Sequence, residues 1–182
     1  MDEIYNNLLN TFLAATPDER EAGMHWYSDA RSTIRALSDE VGGSPMRFAA
    51  VVAALSPRIR WATNLDAATR VMRSAAMGLE EPKVAGFGHN RAIAWALANG
   101  ASIDILTGPK TKAFFWNLVG NEQEVTVDVW MLRAAGLEVA NKGNIENVQQ
   151  AIKRIARHRR LTPAQVQAII WITVRDRWNN DI

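Results

Sequence analysis

Apolar side chains recur at helical spacing along almost the whole chain, and polar or glycine-rich breaks cut the pattern into short segments. Ile4 to Leu13 is amphipathic with a period near 3.6 residues. Thr16-Pro17-Asp18-Glu19 has the residues of a helix cap with proline in the first turn, opening a second helix toward Leu37. Val41-Gly42-Gly43-Ser44-Pro45 then interrupts the pattern. Met46 to Leu55 is nearly all apolar; it is too rich in alanine for a good strand and long enough for a buried helix.

Asn64 to Ala76 resumes the helical period through Leu65, Ala68, Val71 and Met72. Gly86-Phe87-Gly88-His89-Asn90 reads as a turn, and Arg91 to Ala98 as a short helix ended by Asn99-Gly100. A brief helix over Ser102 to Leu106, a tight turn at Thr107-Gly108-Pro109 and a helix from Lys110 to Val119 come next, stopped by Gly120-Asn121. Asp128 to Ala135 is expected to be helical, Gly136 to Asn144 mixed, and Ile145 to His158 a long basic helix. Thr162-Pro163-Ala164-Gln165 is a second capped start, carrying a last helix through Trp171 to Trp178. With no internal repeat and no persuasive strand pair, the expected class is all-α.

A length of 182 residues and 48% hydrophobic content suit one domain, or two small lobes, with a packed core. The absence of cysteine excludes disulfides, cysteine-held zinc and cysteine-held iron-sulfur clusters, and fits a reducing compartment. Asp2 and Glu3 stand where a targeting peptide would carry basic residues, and no stretch is long enough to span a bilayer, so the default expectation is a cytoplasmic protein with no membrane partner. Net charge is +2 but uneven: residues 1 to 40 hold three basic and eight acidic side chains, residues 151 to 182 seven basic and two acidic ones. Lys153, Arg154, Arg157, Arg159 and Arg160 could meet phosphates, although a solvated helix face has the same composition. His25, His89 and His158 are too dispersed for a metal triad, so neither a metal nor another cofactor is expected. Most of the seven tryptophans are read as packing residues.

Chemistry concentrates between Leu106 and Ala135. Gly108-Pro109-Lys110-Thr111, the apolar helix after it, and Val125-Thr126-Val127-Asp128 with its following helix resemble the helix-hairpin-helix and Gly/Pro-Asp signature of the endonuclease-III-like (HhH-GPD) DNA glycosylases. The 18 positions from Lys110 to Asp128 (128 − 110) match the separation of catalytic lysine and aspartate in bifunctional members of that superfamily. Phe48-Ala49-Ala50-Val51-Val52-Ala53-Ala54-Leu55-Ser56 resembles the helix leading into the family's DNA-wedge loop, and Asn90-Arg91-Ala92 the segment before the hairpin. The similarity covers residues 45 to 136; the tail, with Leu161-Thr162-Pro163 and Gln167-Ala168-Ile169-Ile170-Trp171, is similar to small bacteriophage proteins. Two departures are plain. The usual Leu-Pro-Gly-x-Gly hairpin is replaced by Ile105-Leu106-Thr107-Gly108, which lacks the first glycine, and the C-terminal iron-sulfur cluster of many members has no cysteines here.

The resemblance implies a two-lobed helical glycosylase fold with a cleft between lobes. Residues 1 to 182 would form a single such domain, one sub-lobe over about 41 to 120 with the wedge loop and hairpin, the other built from 1 to 40 plus 121 to 182. It implies a DNA glycosylase, with or without AP-lyase activity, that acts as a monomer by default and removes a flipped modified or mismatched base from double-stranded DNA. Asp128 would stabilise the positive charge that develops on the deoxyribose as the N-glycosidic bond breaks, and orient or deprotonate the nucleophile. The competing reading of Asp128 is an ordinary N-cap ahead of Trp130-Met131-Leu132. Lys110, at a helix start that disfavours its protonated form, would attack the sugar C1′ as a Schiff-base nucleophile; the alternatives are a phosphate contact or a solvated lysine.

Thr107, Gly108, Thr111 and Lys112 are the expected hairpin contacts to DNA, with Arg58, Arg60 and Trp61 contributed by the wedge segment Ser56-Pro57-Arg58-Ile59-Arg60-Trp61. Arg58 stands where relatives fill the gap left by an extruded base, which offsets part of the few kcal/mol lost in stacking and pairing. Trp61 serves equally well as a core residue, and Phe114, Phe115 and Trp116 are read first as packing. Ser56 and His89 are the expected lining of a base pocket. Two other functions stay open: base hypermodification of phage DNA on a glycosylase scaffold, and DNA binding by the hairpin without catalysis.

Overall fold

The computed structural model describes residues 2–180, and among them every regular element is a helix, with no strand. Nine α-helices follow in order: α1 (Asp2–Leu13), α2 (Pro17–Glu40), α3 (Pro45–Leu55), α4 (Trp61–Ala76), α5 (Gly88–Ala98), α6 (Pro109–Leu118), α7 (Val129–Ala134), α8 (Lys142–Arg159) and α9 (Pro163–Asn180). A 3-10 turn at Ile103–Ile105 precedes α6. None of these helices is long and apolar enough to cross a membrane.

The chain divides into two compact units, Met1–Asp29 with Gly120–Ile182 and Ala30–Val119. The first boundary falls inside α2, eleven residues before that helix ends at Glu40 (40 − 29), and not at the glycine-rich break after it. Continuous helical hydrogen bonding across Asp29–Ala30 hides the division from any local signal in the sequence.

The unit formed by Ala30–Val119 is built around α3. Phe48 through Leu55 are all buried, and α4, α5 and α6 pack against this one helix. Burial on every side explains the unbroken apolar run, since a helix with no solvent face has no use for polar positions. Phe48, Val51, Val52 and Leu55 each stabilise the unit by about 1.5–3 kcal/mol through burial.

The last carbonyls of α3 lack partners within the helix, and three side chains supply them. Asn64 Nδ2 donates to Val52 O at 3.0 Å, Ser56 Oγ to Ala53 O at 2.9 Å, and Asn90 Nδ2 to Ala54 O at 2.9 Å. Residues from α3's own C-cap, α4 and α5 thereby fix the chain's exit into the loop that carries Arg58.

In the other unit, α1, α7, α8 and α9 enclose a core of Leu8, Phe12, Val127, Met131, Ile152, Ile155, Ile169 and their neighbours. Gly23 permits the closest approach in this unit: a Cβ on it would lie 2.6 Å from Ile169 Cα and 2.7 Å from Ile169 N, which no side chain tolerates. Both capped starts form as reciprocal boxes. Thr16 N–H donates to Glu19 Oε2 at 2.7 Å while Glu19 N–H donates to Thr16 Oγ1 at 3.2 Å. Thr162 N–H donates to Gln165 Oε1 at 3.0 Å, and Gln165 N–H to Thr162 Oγ1 at 3.2 Å.

Candidate active site

Before α7 the chain passes through Val125 and Val127, both buried in the core, and reaches Asp128. Asp128 is the N-cap of α7, with φ −109° and ψ −174°; its Oδ1 accepts the N–H groups of Trp130 and Met131, both at 3.0 Å. The capping reading is therefore true of this residue. It does not exhaust it, because Oδ2 faces the other way and accepts the indole N–H of Trp171 at 3.0 Å. Three donors occupy three of the roughly four lone-pair positions of a carboxylate. What remains is a half-buried group, fixed about its χ angles, with one acceptor position left for a water or substrate atom.

Buried polar residues stand behind this carboxylate. Tyr27 donates its hydroxyl proton to Gln167 Oε1 at 2.7 Å, and Tyr27, Thr126 and Gln167 are all buried. Burial pushes the Tyr27 phenol far above the ordinary tyrosine range, a hydrogen bond with Thr126 opposes that shift, and the negative charge of Asp128 adds to it. Trp171 packs edge-on against Trp26, with ring centroids 5.8 Å apart, which orients the indole toward Asp128. Trp171 is the hydrogen-bond partner of Asp128 that sequence reasoning missed. It lies 43 residues from Asp128 on α9, and no local spacing announces such a pair.

In the other unit the hairpin turn is anchored by Leu106, which is fully buried, while Thr107 and Gly108 are exposed. Gly108 is the N-cap of α6 at φ +86°, a conformation that favours glycine. Pro109 takes the first helical position, so Lys110 is the second residue of α6 and half-buried. Thr111 is half-buried and Lys112 exposed one turn above Gly108, whose carbonyl accepts the Lys112 N–H at 3.1 Å.

The segment 56–61 has an unusual backbone. Arg58 sits in the left-handed region at φ +60° with its side chain exposed, and its guanidinium lies 5.9 Å from the centroid of the Phe87 ring. Such a conformation costs a residue with a Cβ about 1–2 kcal/mol, and held strain of this kind clusters at functional positions. Arg60 is the exposed N-cap residue of α4, without a side-chain capping bond. Trp61 opens α4, half-buried, and meets Phe114 of α6 edge-on with centroids 6.5 Å apart, so the starts of α4 and α6 touch.

Ser56 spends its hydroxyl proton on the α3 carbonyl, which makes it a helix terminator as much as a pocket residue. His89 lies not in a turn but in the first turn of α5, which begins at Gly88, and it is exposed. Phe87, the N-cap residue of α5, is 50% exposed beside Arg58, an aromatic contact surface the sequence had folded into an anonymous turn. Phe115 is buried core, whereas Trp116 stays 47% exposed.

Residues 1–178 match the family described as "Family of unknown function (DUF7178)", and the chain belongs to that family. No curated protein and no solved structure matches the chain.

Proposed function

We propose that this DUF7178 member is a helix-hairpin-helix DNA glycosylase that removes a flipped base from duplex DNA, with Asp128 as its catalytic carboxylate. One observation carries the reading: Asp128 is half-buried at the edge of an apolar core, and its carboxylate is held by two backbone amides and the Trp171 indole with one acceptor position open. A group fixed in this way needs no reorganisation as charge develops beside it, which is the basis of electrostatic catalysis.

In the reaction, the C1′–N bond breaks and its electron pair leaves with the base, which gains a proton. Positive charge spreads over C1′ and the ring oxygen, and the Asp128 carboxylate faces it. In the hydrolytic branch, a water oxygen bonds to C1′ and gives up one proton to Asp128, leaving a 1′-hydroxyl. In the lyase branch the Lys110 amine bonds to C1′ instead, the C1′–O4′ bond breaks as an amine proton passes to O4′ and leaves the ring-opened Schiff base, and transfer of a C2′ proton to water lets β-elimination expel the 3′ phosphate. Arg58, stacked near Phe87, would enter the space vacated by the flipped base, while Thr107, Gly108, Thr111 and Lys112 hold phosphate.

A panel of duplexes, each carrying a different modified base, tests the proposal through released base and strand breaks. Release of free base from at least one duplex is expected. Binding with no product across the panel would overturn it in favour of a DNA-binding module, and amine-dependent change of the base without release would favour hypermodification. For the lyase branch, borohydride should trap the chain on an abasic duplex and Lys110→Ala should abolish the trapped species; strand cleavage by Lys110→Ala would refute Lys110 as nucleophile.

A further inference from the structure

The unit that holds Asp128 also carries an open cleft of about 570 Å³, lined by α8, the start of α9 and the segment before α7. None of the residues discussed above as a glycosylase site lines it. Its walls combine two cations, Lys153 and Arg157, with the carboxamides of Gln123, Gln149 and Gln150, and a single carboxylate, Glu146, at one end. We infer that this cleft binds a nucleic-acid strand, with Lys153 and Arg157 on successive phosphates and the carboxamides of Gln123 and Gln150 on sugar or base edges, while Gln149 Nε2 donates to Val125 O at 3.2 Å.

The charge pattern of α8 supports this assignment. Its buried positions, Val148, Ala151, Ile152, Ile155 and Ala156, face the core, which leaves Lys153, Arg154, Arg157, His158 and Arg159 all exposed. Two of these are engaged with α1: Arg154 lies 3.9 Å from Asp2 and over the Tyr5 ring at 4.2 Å, and His158 Nδ1 is 3.3 Å from the Tyr5 hydroxyl. No carboxylate among the described residues pairs with Lys153 or Arg157, both of which line the cleft. They are four residues apart on one helix face, about 6 Å along the axis, a spacing that lets two cations meet neighbouring phosphates.

Favourable interaction with the C-terminal end of α8 explains why cations are tolerated there, but not why they line a concavity beside three carboxamides. An extended polyanion with hydrogen-bonding edges uses both features, whereas a lipid surface is flat and uses only the charges. Backbone strain marks the same end. Arg160, between the lining residues Arg157 and Leu161, holds φ +56° and ψ +39°, where glycine or asparagine would be relaxed. This residue closes α8, with its own N–H and that of Leu161 both donating to Ala156 O, and it leaves an exposed guanidinium beside the cleft.

Because the cleft does not involve Asp128 or Lys110, the inference stands or falls apart from the glycosylase reading. The test is binding of fluorescein-labelled single-stranded and duplex oligonucleotides of unmodified sequence, by anisotropy, to the full chain and to the Lys153→Gln/Arg157→Gln double variant. Two lost phosphate contacts should flatten the slope of log affinity against log salt by about 1.8 for duplex and about 1.4 for single strand. For duplex the advantage of the native chain over the variant should therefore shrink about twelve-fold between 50 and 200 mM salt. An unchanged slope and affinity in a double variant whose circular dichroism and Tm are native would overturn the inference. So would loss of binding to phosphatidylserine vesicles or to an acidic peptide with oligonucleotide binding intact.

Discussion

The bond between Trp171 Nε1 and Asp128 Oδ2 can be measured by a double-mutant cycle. Asp128→Asn keeps a side-chain oxygen for the Trp130 and Met131 amides, and asparagine caps helices as well as aspartate does, so α7 should keep its start. The new amide nitrogen then meets the Trp171 N–H donor to donor, and a charge-assisted hydrogen bond of about 1.5–3 kcal/mol is lost. Solvent reaches the half-buried Asp128, so the lower end, about 1.5 kcal/mol, is the working value. For a chain of this size that lowers Tm by about 3–6 °C. Trp171→Phe removes the same bond together with part of the edge contact to Trp26. The double variant loses the bond only once, so the two single costs should exceed the double cost by about 1.5 kcal/mol in urea unfolding followed by circular dichroism. Costs that add to within about 0.5 kcal/mol would refute the claim that the indole holds the carboxylate.

The remaining predictions follow from close contacts and buried polar groups. Gly23→Ala should destabilise by about 1–3 kcal/mol in spite of alanine's better helix propensity, because the new Cβ meets the Ile169 backbone; a rise in Tm would contradict the observed approach. Asn90→Leu should cost about 1–3 kcal/mol by leaving Ala54 O without its donor, measured as a shift in urea midpoint with little change in slope. Tyr27 ionises far less readily folded than unfolded, so the stability it contributes is fully present below about pH 10 and falls as pH rises above that value. Tyr27→Phe should flatten this alkaline loss in thermal unfolding while forfeiting the Gln167 bond, and an unaltered alkaline profile would contradict the assignment.

What the sequence made legible was local. Thr16 with Glu19 and Thr162 with Gln165 announce capped helix starts because the residues that close each box lie three apart. The run from Phe48 to Leu55 announces a buried helix because every neighbour is apolar. Asp128 was readable as a cap for the same local reason.

Features set by distant chain were not legible. The glycines of Gly86-Phe87-Gly88 suggest a turn, yet α5 starts at Gly88, its first turn secured by Arg91 N–H to Phe87 O at 2.9 Å and by Asn90 reaching to α3. Asn141 likewise caps α8 through the Asn144 N–H at 2.9 Å, three residues earlier than the periodicity suggested, because Gly143 blurs the pattern. Arg58 and Arg160 occupy left-handed backbone without the glycine or asparagine that would signal it. The Trp171 side of the candidate site belongs to this second group, since α9 brings it to Asp128 only through packing in the core.

If the Asp128 carboxylate acts on a deoxyribose, single-turnover base release must separate the native chain from Asp128→Asn on whichever modified duplex the native chain cleaves best. The variant should lose at least about a hundred-fold in rate, the scale of removing one preorganised electrostatic group, while duplex affinity stays within about two-fold. Equal rates of base release in the two proteins would contradict that role for Asp128.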